Sequence, residues 1–349
     1  MSMEKNSRRL PAEFEAHRAI LLAFPHEGAD WPGKYQTVQW AFVEFIKKVT
    51  LFEKLILVVK SEQHQEKVEE KLQRAHVNLN QIEFVYQNTN RSWMRDSGPI
   101  IVKESEGKNE ALHFNFNGWA KYGNYRKDVF VPETIAGHLK IPATKVFYKN
   151  RHVVLEGGAI DSNGKGTLLT TEECLLDPKV QVRNPGFSKD DYEQVFAEYL
   201  GIKNTIWLGE GIEGDDTHGH VDDICRFVNP DTVVVCCEPN TNDVNHKRME
   251  DNIRRLKNSR LENGKPINIS EIPLPSRLDF ENMRLPASYV NFLILNKAVL
   301  VPVFNDRNDY KALGTIRELF PEREVIGISA IDLIWGLGTL HCLSHEIPE

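Results

Sequence analysis

VQWAFVEFIKKV (Val38–Val49), KLILVV (Lys54–Val59), SEQHQEKVEEKLQRA (Ser61–Ala75) and IEFVY (Ile82–Tyr86) follow one another with no linker between them. The first places Val38, Phe42, Phe45, Ile46 and Val49 at helical spacing, and the third is a charged helix. The second and fourth are short apolar runs of strand type. Helix, strand, helix, strand in that order assigns the chain to the mixed α/β class. Working outward, further strands are expected at Ile100–Val102, Leu112–Phe116, Thr232–Cys236, Tyr289–Leu295 and Val299–Val303. Helices are expected at Asp190–Leu200, Asp243–Leu256 and Tyr310–Leu319. A length of 349 residues alone suggests two domains. Because no Gly/Ser/Pro-rich or low-complexity stretch divides the chain, a single unit over residues 1–349 is the expectation.

Composition narrows the function. Net charge is -7 and there is no long Lys/Arg block, which argues against a nucleic-acid partner. No apolar run approaches a membrane span or a secretory leader, so a cytoplasmic location is expected. Cys174, Cys225, Cys236, Cys237 and Cys342 are scattered and odd in number. That set makes a poor disulfide framework and a poor zinc site, and it fits a reducing compartment. Oligomeric state is not set by the sequence, although a homo-oligomer is compatible with it.

Five polar clusters could carry chemistry. GLGTLHC (Gly336–Cys342) places Cys342 in a glycine-rich turn, where a side chain can be presented to a ligand. A lone cysteine is most often a small buried hydrophobe. The other four cysteines are read that way, whereas the setting of Cys342 argues for a reactive thiol. DDTHGHVDD (Asp215–Asp223) packs two histidines and four aspartates into nine residues. If extended, it would put His218, His220 and Asp222 on one face. It is suited either to metal binding or to pairing a histidine acid/base with an aspartate that binds a cation. WMRDSGP (Trp93–Pro99) offers Asp96, and LEGGAI (Leu155–Ile160) offers Glu156 before a glycine pair. NFNGWAKY (Asn115–Tyr122) adds Trp119. Plainer readings compete: a surface Arg95–Asp96 pair, an exposed turn at Glu156, and core packing for Trp119.

The spacing of these clusters repeats. Asp96 to Glu156 is 60 residues, Glu156 to His220 is 64, and His220 to Cys342 is 122, about two intervals of 61. A ring of about five similar α/β units, each sending one loop to a shared centre, would give such a period.

Taken together, WMRDSGP, FNFNGW (Phe114–Trp119), LEGGAI, DTHGHVDD (Asp216–Asp223) and GLGTLHC resemble the motifs of the agmatine deiminase family. That family is grouped with the bacterial peptidylarginine deiminases in the guanidine-modifying superfamily. The opening LPAEFEAHRAILLAFPHEGADW (Leu10–Trp31) is similar too, so the resemblance spans the chain. It implies a five-bladed, pseudo-symmetric α/β propeller of ββαβ repeats around a central channel. It also implies Cys342 as nucleophile, His220 as general acid/base, Glu156 as its carboxylate partner, and Asp96 and Asp222 as the guanidinium clamp. His218 is left a supporting role.

Physical chemistry agrees with those roles. A guanidinium is planar and presents forked N–H donors that suit paired carboxylates. Attack by sulfur divides a difficult substitution into two easier steps. No cofactor and no metal are expected. The expected substrate is a small guanidinium cation, agmatine, giving N-carbamoylputrescine and ammonia. Trp93 and Trp119 would line its methylene chain, and Asp216 would lie near its far amine. Three alternatives stay open: a deiminase of arginine or peptidyl-arginine, a manganese ureohydrolase using Asp216, His218, His220 and Asp222, and a non-enzymatic binding protein.

Overall fold

The computed structural model describes residues 8–104 and 107–349. Its main strands form five separate sheets with a common plan, accompanied by two short two-stranded ribbons. In each main sheet a central strand pairs antiparallel with one neighbour and parallel with another. A parallel partner cannot be reached by a tight turn and needs a crossover. Helices supply it: Tyr35–Val49, Val131–Leu139, Lys189–Leu200, Val244–Asn258 and Asp309–Leu319.

The first sheet joins the chain ends. Ser344–Pro348 lies antiparallel to His17–Ala23, which runs parallel to Leu55–Val59 and so to Ile82–Tyr86. The other four sheets are Ile100–Lys103/Asn109–His113/Ala143–Lys145, Asp161–Ser162/Thr167–Thr171/Asn204–Leu208, Cys225–Asn229/Thr232–Cys237/Asn268–Pro273 and Leu293–Ile294/Ala298–Val303/Glu324–Ser329. Central strands such as Leu55–Val59 are buried along their whole length, which is why they read as unbroken apolar runs.

Local chemistry sets the helix ends. Ser61 caps the charged helix Glu62–Arg74 by accepting from the His64 backbone N–H. Ser188 and Asp191 form a reciprocal capping box, and Gly201 closes the same helix in the left-handed region. Val38, Phe42, Phe45, Ile46 and Val49 are all buried, and they share one apolar cluster with Trp93, Trp119 and Cys342. The packing that holds the first helix on its sheet therefore also supports the polar centre.

Two expected strands differ. Of the run Leu112–Phe116 only Leu112 and His113 join the ladder, within Asn109–His113; Asn115 makes an isolated parallel bridge to Val154, and Phe114 and Phe116 are buried in the core. Of Tyr289–Leu295 only Leu293–Ile294 pairs. The carbonyls of Val290 and Phe292 accept instead from the buried Arg226 guanidinium, at 3.5 and 3.1 Å. Backbone groups bonded to a side chain in this way are unavailable to a sheet.

Candidate active site

One short turn precedes the first strand of each sheet, and these five turns carry the polar centre. Met94–Ser97 holds Asp96, and Gly157–Ala159 follows Glu156. Val221–Asp223 holds Asp222, Asn291 lies two residues before Leu293–Ile294, and Leu340–Leu343 holds Cys342. The double interval between His220 and Cys342 is thus filled by Asn291, which sequence reasoning passed over.

Cys342 and Asp96 line one cavity of about 330 Å³ together with Trp93, Trp119 and Asp216. The Cys342 sulfur accepts from Asn291 Nδ2 at 3.0 Å and lies 3.8 Å from Asp222 Oδ2. Burial, reinforced by the carboxylates of Asp222, Asp223 and Asp96, pushes its thiol well up. Asp96 accepts from Trp119 Nε1 at 2.9 Å and from the Gly158 backbone at 3.2 Å. Burial raises its carboxyl to about 6; His220 works against that, and the charges of Asp222 and Glu156 add to it.

His220 Nδ1 stands 3.8 Å from Asp96 Oδ1. Burial alone would lower the His220 pKa, but Asp96 and then the Cys174 sulfur carry it well above the ordinary value. Glu156 is fully buried, and its Oε1 accepts from Arg183 Nε at 3.0 Å. Glu156, Cys174 and His220 bring donor atoms within 4.8 Å of one another. The nearest ion-pair partner of His220 is nevertheless Asp96, and Glu156 is oriented by Arg183. Cys174 is packed in an apolar core cluster, as expected, and its sulfur also lies beside His220 and Glu156. The glycine pair has a steric cause: a Cβ on Gly158 would sit 2.5 Å from His220 Nδ1 and 2.9 Å from Asp96 Oδ1.

The expectation that His218, His220 and Asp222 share one face is not met. His218 and Gly219 both have positive φ, so the chain is not extended there. Asp215 causes the bend, its Oδ2 accepting from the backbones of Gly219 (2.8 Å) and His220 (2.9 Å). His218 turns away to Asp177 at 3.0 Å, while Asp216 is held by Lys121 and by Tyr122 Oη at 2.8 Å. The four ligands of a ureohydrolase therefore do not converge. Among the described residues, the donor triplets that do approach one another contain neither Asp216 nor His218.

Behind this cavity lies a second one of about 500 Å³, lined by Glu13, Arg95, His341, His345 and Glu346 among others. Arg95 does not pair with Asp96 on the surface. It is buried, donating to Glu346 at 2.6 Å and to Glu13 at 3.3 Å. Glu13 also accepts from Arg226 at 2.6 Å. His341 links the two sides, with Nδ1 2.6 Å from Asp222 Oδ2 and Nε2 2.7 Å from Glu13 Oε2. Burial would raise the Asp222 carboxyl, but the hydrogen bond and charge of His341, together with His220 and Arg226, outweigh it and hold the carboxyl down. Asp222 Oδ1 is buried without a protein partner.

Glu13, Arg183, Asn291 and His341 had no assigned role in the sequence reading. Glu13, Asn291 and His341 had one available signal, a polar residue inside or beside apolar residues, which is costly unless it is bonded; Arg183, in the polar stretch before Asn184 and Pro185, had none.

No helix among the described residues is long and apolar enough to cross a membrane. An agmatine deiminase of Pseudomonas aeruginosa is 30% identical, over 97% of this chain and 95% of its own length. The structure of the Enterococcus faecalis agmatine deiminase catalysing its reaction superposes with a TM-score of 0.88 at 28% identity, covering 98% of this chain and 96% of that one. A serine-for-cysteine variant of the C. jejuni agmatine deiminase with substrate bound gives a TM-score of 0.88 at 28% identity, covering 100% and 98%. The model of the Porphyromonas-type peptidyl-arginine deiminases matches residues 9–348, and the chain belongs to that family.

Proposed function

We propose that this protein hydrolyses agmatine to N-carbamoylputrescine and ammonia, with Cys342 as nucleophile. One observation carries the reading: the Cys342 sulfur and the Asp96 carboxylate line the same small cavity, with tryptophans beside them. Asp96 and Asp222 would take the N–H forks of the guanidinium. Its positive charge would relieve the mutual repulsion of these acids and lower the thiol pKa beside them.

The sulfur then adds to the guanidinium carbon. His220 gives its proton to the departing nitrogen, ammonia leaves, and an S-alkylthiouronium remains. Water attacks that carbon as His220 takes its proton, and the carbon–sulfur bond breaks to release the ureido product. His220 is kept charged by Asp96, with Glu156 held beside it by Arg183. The methylene chain would run between Trp93 and Trp119. Its ammonium would reach Asp216, displacing Lys121. The product is one hydrolytic step from putrescine.

The common plan of the five sheets, and the equivalent turn before each, support a five-bladed propeller acting as one catalytic unit over 1–349. A cytoplasmic setting suits the five free thiols.

A second reading, arginine or a peptide arginine, is favoured by one residue. Arg91 lines the same cavity and could meet a carboxylate, although Asp30 already sits 3.0 Å from it.

The test uses agmatine and arginine separately, with and without EDTA, following ammonia, urea and ureido product. Ammonia from agmatine, insensitive to EDTA and absent in Cys342→Ala, is expected. Substantial turnover by that variant would defeat the mechanism, and a higher kcat/KM for arginine would move the substrate to the second reading.

A further inference from the structure

Asn291 occupies the fourth of the five turn positions, and its bonds are specific. It is 1% exposed, between Val290 and Phe292, which are fully buried. Its side-chain oxygen accepts from Thr339 Oγ1 at 2.6 Å and from the backbones of His341 and Cys342 at 3.2 and 3.4 Å. Its nitrogen donates to Asp223 Oδ1 at 3.0 Å and to the Cys342 sulfur at 3.0 Å. This network fixes which end of the amide is which. A flipped group would set its NH₂ against three donors and its oxygen against a carboxylate. An amide buried in an apolar run is costly, and here both of its N–H groups are used.

We propose that Asn291 is a catalytic residue of this site, donating a hydrogen bond to the Cys342 thiolate and holding the sulfur toward the cavity. The other polar side chains nearest the sulfur are the carboxylates of Asp222, Asp223 and Asp96, all of which oppose ionisation. Among the described residues, Asn291 supplies the one side-chain donor within hydrogen-bond distance of it. A bond to neutral thiol is weak. The same bond to thiolate is charge-assisted and stronger, so it favours the ionised form. This proposal rests on Cys342 being the nucleophile.

The test needs no guanidine substrate, so it can fail independently of that reading. Iodoacetamide alkylation of Cys342 is followed by mass spectrometry of its peptide between pH 6 and 10. Thiolate sulfur displaces iodide, so the rate reports the ionised fraction. For Asn291→Ala the profile is expected to move up by about one to two pH units, with about ten- to hundredfold slower alkylation at pH 8. Asn291→Leu preserves the volume and decides the case if the alanine variant does not fold. Thr339→Val loosens the loop anchor but keeps the donor, so its profile should stay with wild type. Wild-type rates in both Asn291 variants would overturn the proposal. An equal displacement by Thr339→Val would also overturn it, leaving Asn291 a loop anchor only.

Discussion

Arg95 and Asp96 are neighbours in sequence, as are His341 and Cys342, and the fold splits both pairs the same way. Asp96 and Cys342 face the front cavity, while Arg95 and His341 border the rear one. In the rear, acids are matched by bases. Burial alone would raise the Glu13 carboxyl, yet Arg226, His341 and Arg95 hold it far below its usual range. Glu346 is half-buried, and Arg95, aided by His345 and His17, brings its carboxyl well down against the effect of burial. In the front the balance reverses. Asp96 is raised to about 6. Asp223 is pushed well up by burial and then by Asp222 and Asp215. The rear is a finished guanidinium site, with Arg95 as its internal cation between two carboxylates. The front offers carboxylates of the same kind, and the arginine that lines it, Arg91, is paired with Asp30. On the function proposed above, the same chemistry stabilises the fold on one side and on the other is left for a substrate.

The largest effect should come from the rear. Glu13→Gln removes the acid shared by Arg226, Arg95 and His341. Arg95 would keep only Glu346 and Arg226 only Asp161, and breaking a buried ion pair by removing one partner typically costs about 3–5 kcal/mol, so the variant should melt far below wild type. Asp96→Asn should do the opposite. It keeps the shape, removes a buried acid among other acids, and loses one half of the proposed substrate clamp. kcat/KM should fall about a hundredfold, or about 3 kcal/mol, with Tm unchanged or higher. Thermal unfolding and steady-state kinetics on both variants check this contrast. A normal Tm for Glu13→Gln, or a large loss of Tm in Asp96→Asn, would break it.

The front was largely legible in the sequence and the rear was not. Asp96, Glu156, His220, Asp222 and Cys342 stand in turns beside glycines, and such dense polar clusters look unlike core. The α/β class followed from the alternation of apolar runs and amphipathic helices. Glu13, Arg226 and Asn291 are single polar residues in or beside apolar stretches. Their partners lie 213 residues away for Glu13 and Arg226 and 51 away for Asn291 and Cys342, and no local pattern encodes such distances. The direction in which His218 points was misread for a related reason. Asp215 captures the backbone of Gly219 and His220, and alternation along a strand cannot register that bend.

A smaller effect separates the two sides by pH. Asp96 titrates near 6 in the free protein, so above that value it is ionised and ready for a cation. Below it, binding must first displace a proton, and kcat/KM should fall by up to about tenfold per pH unit. Stability should run the other way for this group. Its folded pKa lies above the unfolded one, so it favours the folded state in acid and loses that contribution as pH rises through about 6. Glu13 has the opposite sign. Its contribution is present above the ordinary glutamate value of 4.5 and is lost only as pH falls through its far lower folded value. Between about pH 6 and 4.5, activity should therefore fall while neither group lowers Tm. In Asp96→Asn that acid limb should flatten, since the titrating group is gone. Measuring kcat/KM and Tm together over this range decides the point. If both fall in step, unfolding of the matched rear is the cause, and the front and rear acids do not differ as their neighbours imply.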